Sequence, residues 1–89
     1  MTGEDVRARL TRLLAGVLGR DAREVAALPD STPLLAGGLG LDSLTGMRLL
    51  AAIRDGLGVD VAETDLALDC LESIGALTRH VAEVLASRA

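Results

Sequence analysis

Gly37-Gly38-Leu39-Gly40-Leu41-Asp42-Ser43-Leu44-Thr45-Gly46-Met47-Arg48-Leu49-Leu50 is the stretch that decides the fold. The Gly-rich run ends at Gly40, and a helical pattern begins three residues later, at Ser43. Asp42 or Ser43 suits a helix N-cap, because a short oxygen side chain can accept from the free N–H groups of a first turn. Gly58 suits the C-cap. The spacing predicts a helix over 43–57. At about 100° per residue, Gly46, Leu49, Leu50, Ile53 and Leu57 share one face. The opposite face carries Leu44, Met47, Arg48, Ala51, Ala52 and Asp55, and is unusually apolar for a surface facing water.

Before this helix, residues 19–42 form a long connection with Pro29, Pro33 and four glycines. A connection of that length without structure is uncommon unless it is functional. Thr32-Pro33 could start one helical turn there. Val25, Leu28, Leu34, Leu35, Leu39 and Leu41 are expected to pack the connection across the helices. Further back, residues 4–18 read as an amphipathic helix. Val6, Leu10, Leu13, Leu14, Val17 and Leu18 make its stripe, and Gly19 stops it. Arg7, Arg9 and Arg12 lie off the stripe and read as a solvated face.

After the central helix, Val59-Asp60-Val61 reads as extended, with a short helix near Glu63–Leu68. A last helix is expected from Ser73, its N-cap, to Leu85, with Ile74, Leu77, Val81, Val84 and Leu85 inward. No segment alternates long enough to be a strand. The fold class is therefore all-α: a small four-helix bundle, three main helices plus one short helix, with a long first loop. One domain, 1–89, is expected from the length of 89 residues.

Composition removes several function classes. All nine basic residues are Arg, and there is one Cys, one His and no aromatic residue. An intramolecular disulfide, a Cys- or His-rich metal site, P-loop or Schiff-base lysine chemistry and a base-stacking platform are all excluded. The net charge of −4 disfavours nucleic acid as a partner. The acidic start Met1-Thr2-Gly3-Glu4-Asp5 is unlike a signal peptide, and no apolar run is long enough for a bilayer. These features predict a cytoplasmic protein not bound to membranes, and the Met1 start with no long flanking linkers suggests a free-standing one.

Three chemistries compete at Ser43. A dinucleotide loop lacks its third glycine and a preceding strand. A hydrolase with His80 as base lacks the G-x-S-x-G elbow, since Leu41-Asp42-Ser43-Leu44-Thr45 occupies those positions. Covalent modification suits a Ser at a helix start behind a flexible Gly-rich loop, where the helix dipole favours a phosphate. The plain structural role, an N-cap, stands beside all three.

A family resemblance tips the balance. Leu39-Gly40-Leu41-Asp42-Ser43-Leu44 resembles the Asp-Ser-Leu signature of acyl and peptidyl carrier proteins. The order of helix, long loop, Ser at a helix start, Gly58–Val61 and Ser73-Ile74-Gly75-Ala76-Leu77 extends the likeness over nearly the whole chain. The resemblance implies that a phosphopantetheinyl transferase uses coenzyme A to attach 4′-phosphopantetheine to Ser43, with Asp42 flanking the site for transferase recognition. The arm would carry the cargo as a thioester, and the protein itself would catalyse nothing. Cys70 is not the carrying thiol; it reads as a small buried hydrophobe.

The implied partners are an adenylating or acyl-loading enzyme, condensing or tailoring enzymes and a thioesterase, with the carrier a monomer. Leu44 and Met47 would form the apolar contact beside Ser43, and Arg48 and Arg54 the charged rim. Residues 44–57 hold two Arg and one Asp. That balance is similar to peptidyl carriers of nonribosomal peptide synthesis rather than to carriers with an acidic helix there. Gly40-Leu41-Asp42-Ser43 is closer to acyl carriers of polyketide or fatty-acid synthesis. A discrete peptidyl carrier is the reading taken, with an acyl carrier as the alternative. An unmodified helical interaction domain is the competing class.

Overall fold

The computed structural model describes residues 2–35, 37–61 and 71–87. Four helices stand among them: α1 (Gly3–Leu18), α2 (Ala22–Ala26), α3 (Ser43–Leu57) and α4 (Ile74–Ser87). The described residues form no strand, only an isolated antiparallel bridge between Pro33 and Ser73. The all-α bundle is as the sequence predicts. α2 stands inside the 19–42 connection, where the sequence reading placed no such helix. The expected short helix at Glu63–Leu68 lies outside the described residues, as does Cys70.

α1 begins one residue earlier than predicted because Thr2 and Asp5 form a capping box. The Asp5 N–H donates to Thr2 Oγ1 at 3.2 Å, and the Thr2 N–H donates to Asp5 Oδ2 at 3.3 Å. Gly19 ends the helix at φ 67°, a left-handed turn that glycine adopts without strain. α1 packs against α2, α3 and α4. Its buried arc is accordingly wider than one stripe. Val6, Leu10 and Leu14 are buried as expected, and Thr11 and Ala15 join them.

Arg7 corrects the reading of a purely solvated basic face. Its side chain is only 19% exposed, and Nε donates to Asp30 Oδ1 at 2.9 Å. Nη2 donates to the Leu28 carbonyl at 2.9 Å, and Nη1 to Thr11 Oγ1. The planar guanidinium thus ties α1 to the chain leaving α2. Arg9 and Arg12 are exposed as predicted.

The 19–42 connection is more ordered than a loop. Asp21 caps α2 through its carboxylate and the Arg23 N–H, at 2.8 Å. Only Val25 of this helix is buried, so no periodicity announces it. Thr32-Pro33 starts no helical turn. The stretch instead supports α4: the Thr32 and Asp30 carbonyls accept from the N–H groups of Ile74 and Gly75 at 3.1 and 2.8 Å. Ser73 Oγ then takes the Ala76 N–H at 3.1 Å, so Ser73 acts as the expected cap. Gly75 is needed for this docking, because a Cβ there would meet Asp30 Cβ at 2.9 Å.

With no aromatic residue, the core is entirely aliphatic. Val6, Val25, Leu34, Leu49, Ile53, Val59, Val61 and Val81 are fully buried. Leu34 matters most for the site, because it is a loop residue with no exposed surface. Its burial fixes the segment that leads to α3. Leu35, expected to pack inward beside it, is instead 38% exposed. Leu34→Ala is expected to cost about 2–5 kcal/mol, as large-to-small core changes do. Urea unfolding checks the stability, and amide exchange in 37–41 should rise well above that in α1.

Candidate functional site

Ser43 stands at the first position of α3, at the end of a folded lead-in. Gly37 and Gly40 take φ of 89° and 68°, which only glycine adopts freely. Gly38 passes so close to the Pro33 carbonyl that a Cβ would collide with it. The N–H groups of Leu39, Gly40 and Leu41 donate to the carbonyls of Pro33, Leu35 and Leu34 at 2.9, 2.9 and 3.0 Å. The expected flexible loop is therefore a hydrogen-bonded knot, and Leu41 is buried at its end.

The cap of α3 is Asp42, not Ser43. Asp42 Oδ1 accepts from the Thr45 N–H at 2.7 Å, and its carbonyl accepts from the Gly46 N–H at 2.8 Å. The bond from Thr45 holds the Asp42 carboxyl below the ordinary aspartate value, with a smaller contribution from nearby Arg48. Ser43 is exposed, and its hydroxyl makes no hydrogen bond among the described residues. The N–H groups of Ser43 and Leu44 also have no partner there. An exposed hydroxyl beside two free N–H groups at a helix N-terminus is a fitting seat for a phosphodiester.

Ser43 forms no hydrogen bond with His80, so the structure lends the hydrolase reading no support. His80 is half-buried on α4, with Nε2 enclosed and unpartnered.

The outer face of α3 is apolar as the wheel predicts. Leu44 and Met47 are 62% and 68% exposed. They lie three positions apart, on one face of the helix. Arg48 is exposed next to them. Arg54 lies two turns beyond Met47 and stands 3.7 Å from Asp55, an exposed pair of little energetic weight. Ala51 and Ala52, expected on the outer face, are half-buried. Leu35 is the exposed hydrophobe that sequence reading assigned to packing. Its carbonyl is tied to Gly40, three residues before Ser43. The adjacent pair Leu34-Leu35 was the available signal, since one of two neighbouring residues tends to face outward.

A family model for the phosphopantetheine attachment site matches residues 8–81. The chain belongs to this family, whose members carry 4′-phosphopantetheine covalently. Carrier domains of the family are generally non-catalytic acyl carriers, modified by a phosphopantetheinyl transferase and engaged by partner enzymes. A comparison with curated proteins finds no match, and one with solved structures finds none.

The division of labour between Asp42 and Ser43 has measurable consequences. Ser43→Ala should leave stability within about 0.5 kcal/mol of wild type, whereas Asp42→Ala should lower Tm by several degrees. Since the folded-state Asp42 carboxyl is the stronger acid, the unfolded chain binds more protons near the ordinary aspartate range. The cap's contribution is full above that range and is lost as pH falls through the lowered folded value. Asp42→Asn, which keeps an acceptor but does not titrate, should flatten that part of the acid limb in thermal melts.

Proposed function

We propose that Ser43 is the attachment point of the phosphopantetheine arm. On this reading the chain bears an aminoacyl or acyl group between enzymes of nonribosomal peptide or related specialised-metabolite biosynthesis. One observation carries the assignment: the Ser43 hydroxyl is exposed and structurally idle because its neighbour caps the helix. Asp42 flanks the site and holds the helix start that a transferase would grip. When attached, the arm supplies a thiol that carries the cargo as a thioester. The chain's own residues hold the attachment oxygen at a fixed helix end and offer partners a surface. Holding cargo on a tether raises its effective concentration at each partner.

Leu44 and Met47, with Leu35 on the lead-in, offer apolar contact to an adenylating or acyl-loading enzyme, condensing or tailoring enzymes and a thioesterase. Arg48 and Arg54 set the charge such partners must complement. Two Arg against one Asp on residues 44–57 favour the peptidyl type. The Gly40-Leu41-Asp42-Ser43 sequence favours the alternative, an acyl carrier of polyketide or fatty-acid synthesis. A monomer working in the cytoplasm completes the reading.

Intact mass after incubation with coenzyme A, Mg²⁺ and a broad-specificity phosphopantetheinyl transferase tests the site. Wild type should gain one phosphopantetheine and Ser43→Ala none. A folded wild type that gains nothing with several transferases would move the function to an unmodified interaction domain. Loading assays with amino acids against acyl groups then separate the two carrier types.

A further inference from the structure

A groove of about 1400 Å³ runs between α1, α2 and α4. No residue of α3 or of the 37–42 lead-in lines it. It exceeds the roughly 300–1,000 Å³ typical of small-molecule sites. Along α4 it extends from Ser73 to Ala86, which is about 20 Å at a helical rise. Small residues stand along it on each helix, Ala8 on α1, Ala26 on α2, and Gly75, Ala82 and Ala86 on α4, between longer polar side chains. Small residues let a third helix approach two others closely.

The charge of the groove departs from that of the chain. Arg7 is neutralised by Asp30. Arg12, Arg23 and Arg79 reach the groove from three different helices. None has a carboxylate within 4.0 Å or a side-chain hydrogen bond among the described residues. The acids lining the groove besides Asp30 are Glu4, which favours the positive start of α1, and Glu83. With Glu4 and Glu83 also outside any ion pair, the lining has four Arg against three acids, a formal balance of +1 in a chain of net charge −4. Guanidinium forks suit carboxylates.

We propose that this groove docks an amphipathic helix of a partner protein, with a stripe of apolar side chains against the alanines and carboxylates along its edges meeting Arg12, Arg23 and Arg79. Helix-in-groove recognition reads such a ligand through anchors at i, i+3, i+4 and i+7. The groove lies apart from Ser43, so the docked helix would leave the α3 face open. The proposal does not rest on Ser43 being modified.

Two synthetic helical peptides of about 14 residues, long enough to fill the groove, test it. Both carry leucines at those anchor positions; one has Glu at the stripe's edges and the other Lys. Titration into the ¹⁵N-labelled protein should show the Glu peptide shifting Ala8, Ala26 and Ala82. It should bind at least about tenfold tighter than the Lys peptide. Arg12→Glu with Arg79→Glu should reverse that preference while helicity by circular dichroism stays unchanged. Equal affinity for both peptides, shifts centred on Leu44 and Met47, or no binding by either would overturn the proposal. So would concentration-dependent dimerisation in sedimentation that Ala82→Arg abolishes, since the groove would then belong to a second copy of this chain.

Discussion

The fold depends on a single helix having to face three others. α1 packs on α2, α3 and α4, so its buried arc must be broad, and without aromatic side chains its apolar contacts are all aliphatic. Breadth explains why Thr11 is buried on α1. A buried hydroxyl is costly unless bonded, and Thr11 donates to the Arg7 carbonyl at 2.8 Å while accepting from the Arg7 guanidinium. Arg7 in turn reaches the Leu28 carbonyl and Asp30. The polar network at the α1 surface and the loop that supports α4 are therefore one structure. Asp30 joins both, receiving Arg7 on its side chain and the Gly75 N–H on its carbonyl.

From that junction the order propagates to Ser43. Pro33 pairs with Ser73, Leu34 is sealed in the core, and the following glycines fold the chain back onto the Pro33, Leu34 and Leu35 carbonyls. Three glycines are required here for different reasons: Gly37 and Gly40 for left-handed backbone, Gly38 for close approach to Pro33. The lead-in ends with Leu41 buried and Asp42 exposed, which places α3's first turn at the surface.

The helix over 43–57 was legible to the residue, because caps and periodicity agree there: Asp42 and Gly58 flank Ser43–Leu57. The start of α4 was legible through Ser73 for the same reason. α2 was not, because a five-residue helix with one buried side chain offers no period to read. Its trace in sequence is Asp21 with Glu24 three positions on, a cap pattern without a following stripe. Arg7 was misread because a wheel knows only its own helix. Nothing in α1 says that the Leu28 carbonyl and Asp30 will arrive from more than 20 residues away. The same blindness sent Leu35 inward, since pattern alone does not choose between two adjacent leucines.

The sequence left open whether Asp42 or Ser43 caps α3, and the choice bears directly on chemistry. A capping hydroxyl is committed to a backbone N–H, so modifying it would cost the helix its start. With Asp42 as the cap, Ser43 lies one position inside, where its oxygen is free and its own N–H is one of the groups a helix start leaves unpaired. The carboxylate is also the better cap for this purpose, since its negative charge answers the helix dipole while Arg48 sits near enough to favour its ionised form. Alanine at position 43 would therefore remove an exposed hydroxyl that the helix start does not use. If Ser43 is the attachment point proposed above, the buried leucine and three glycines of the lead-in are what hold its oxygen at a fixed place on the surface.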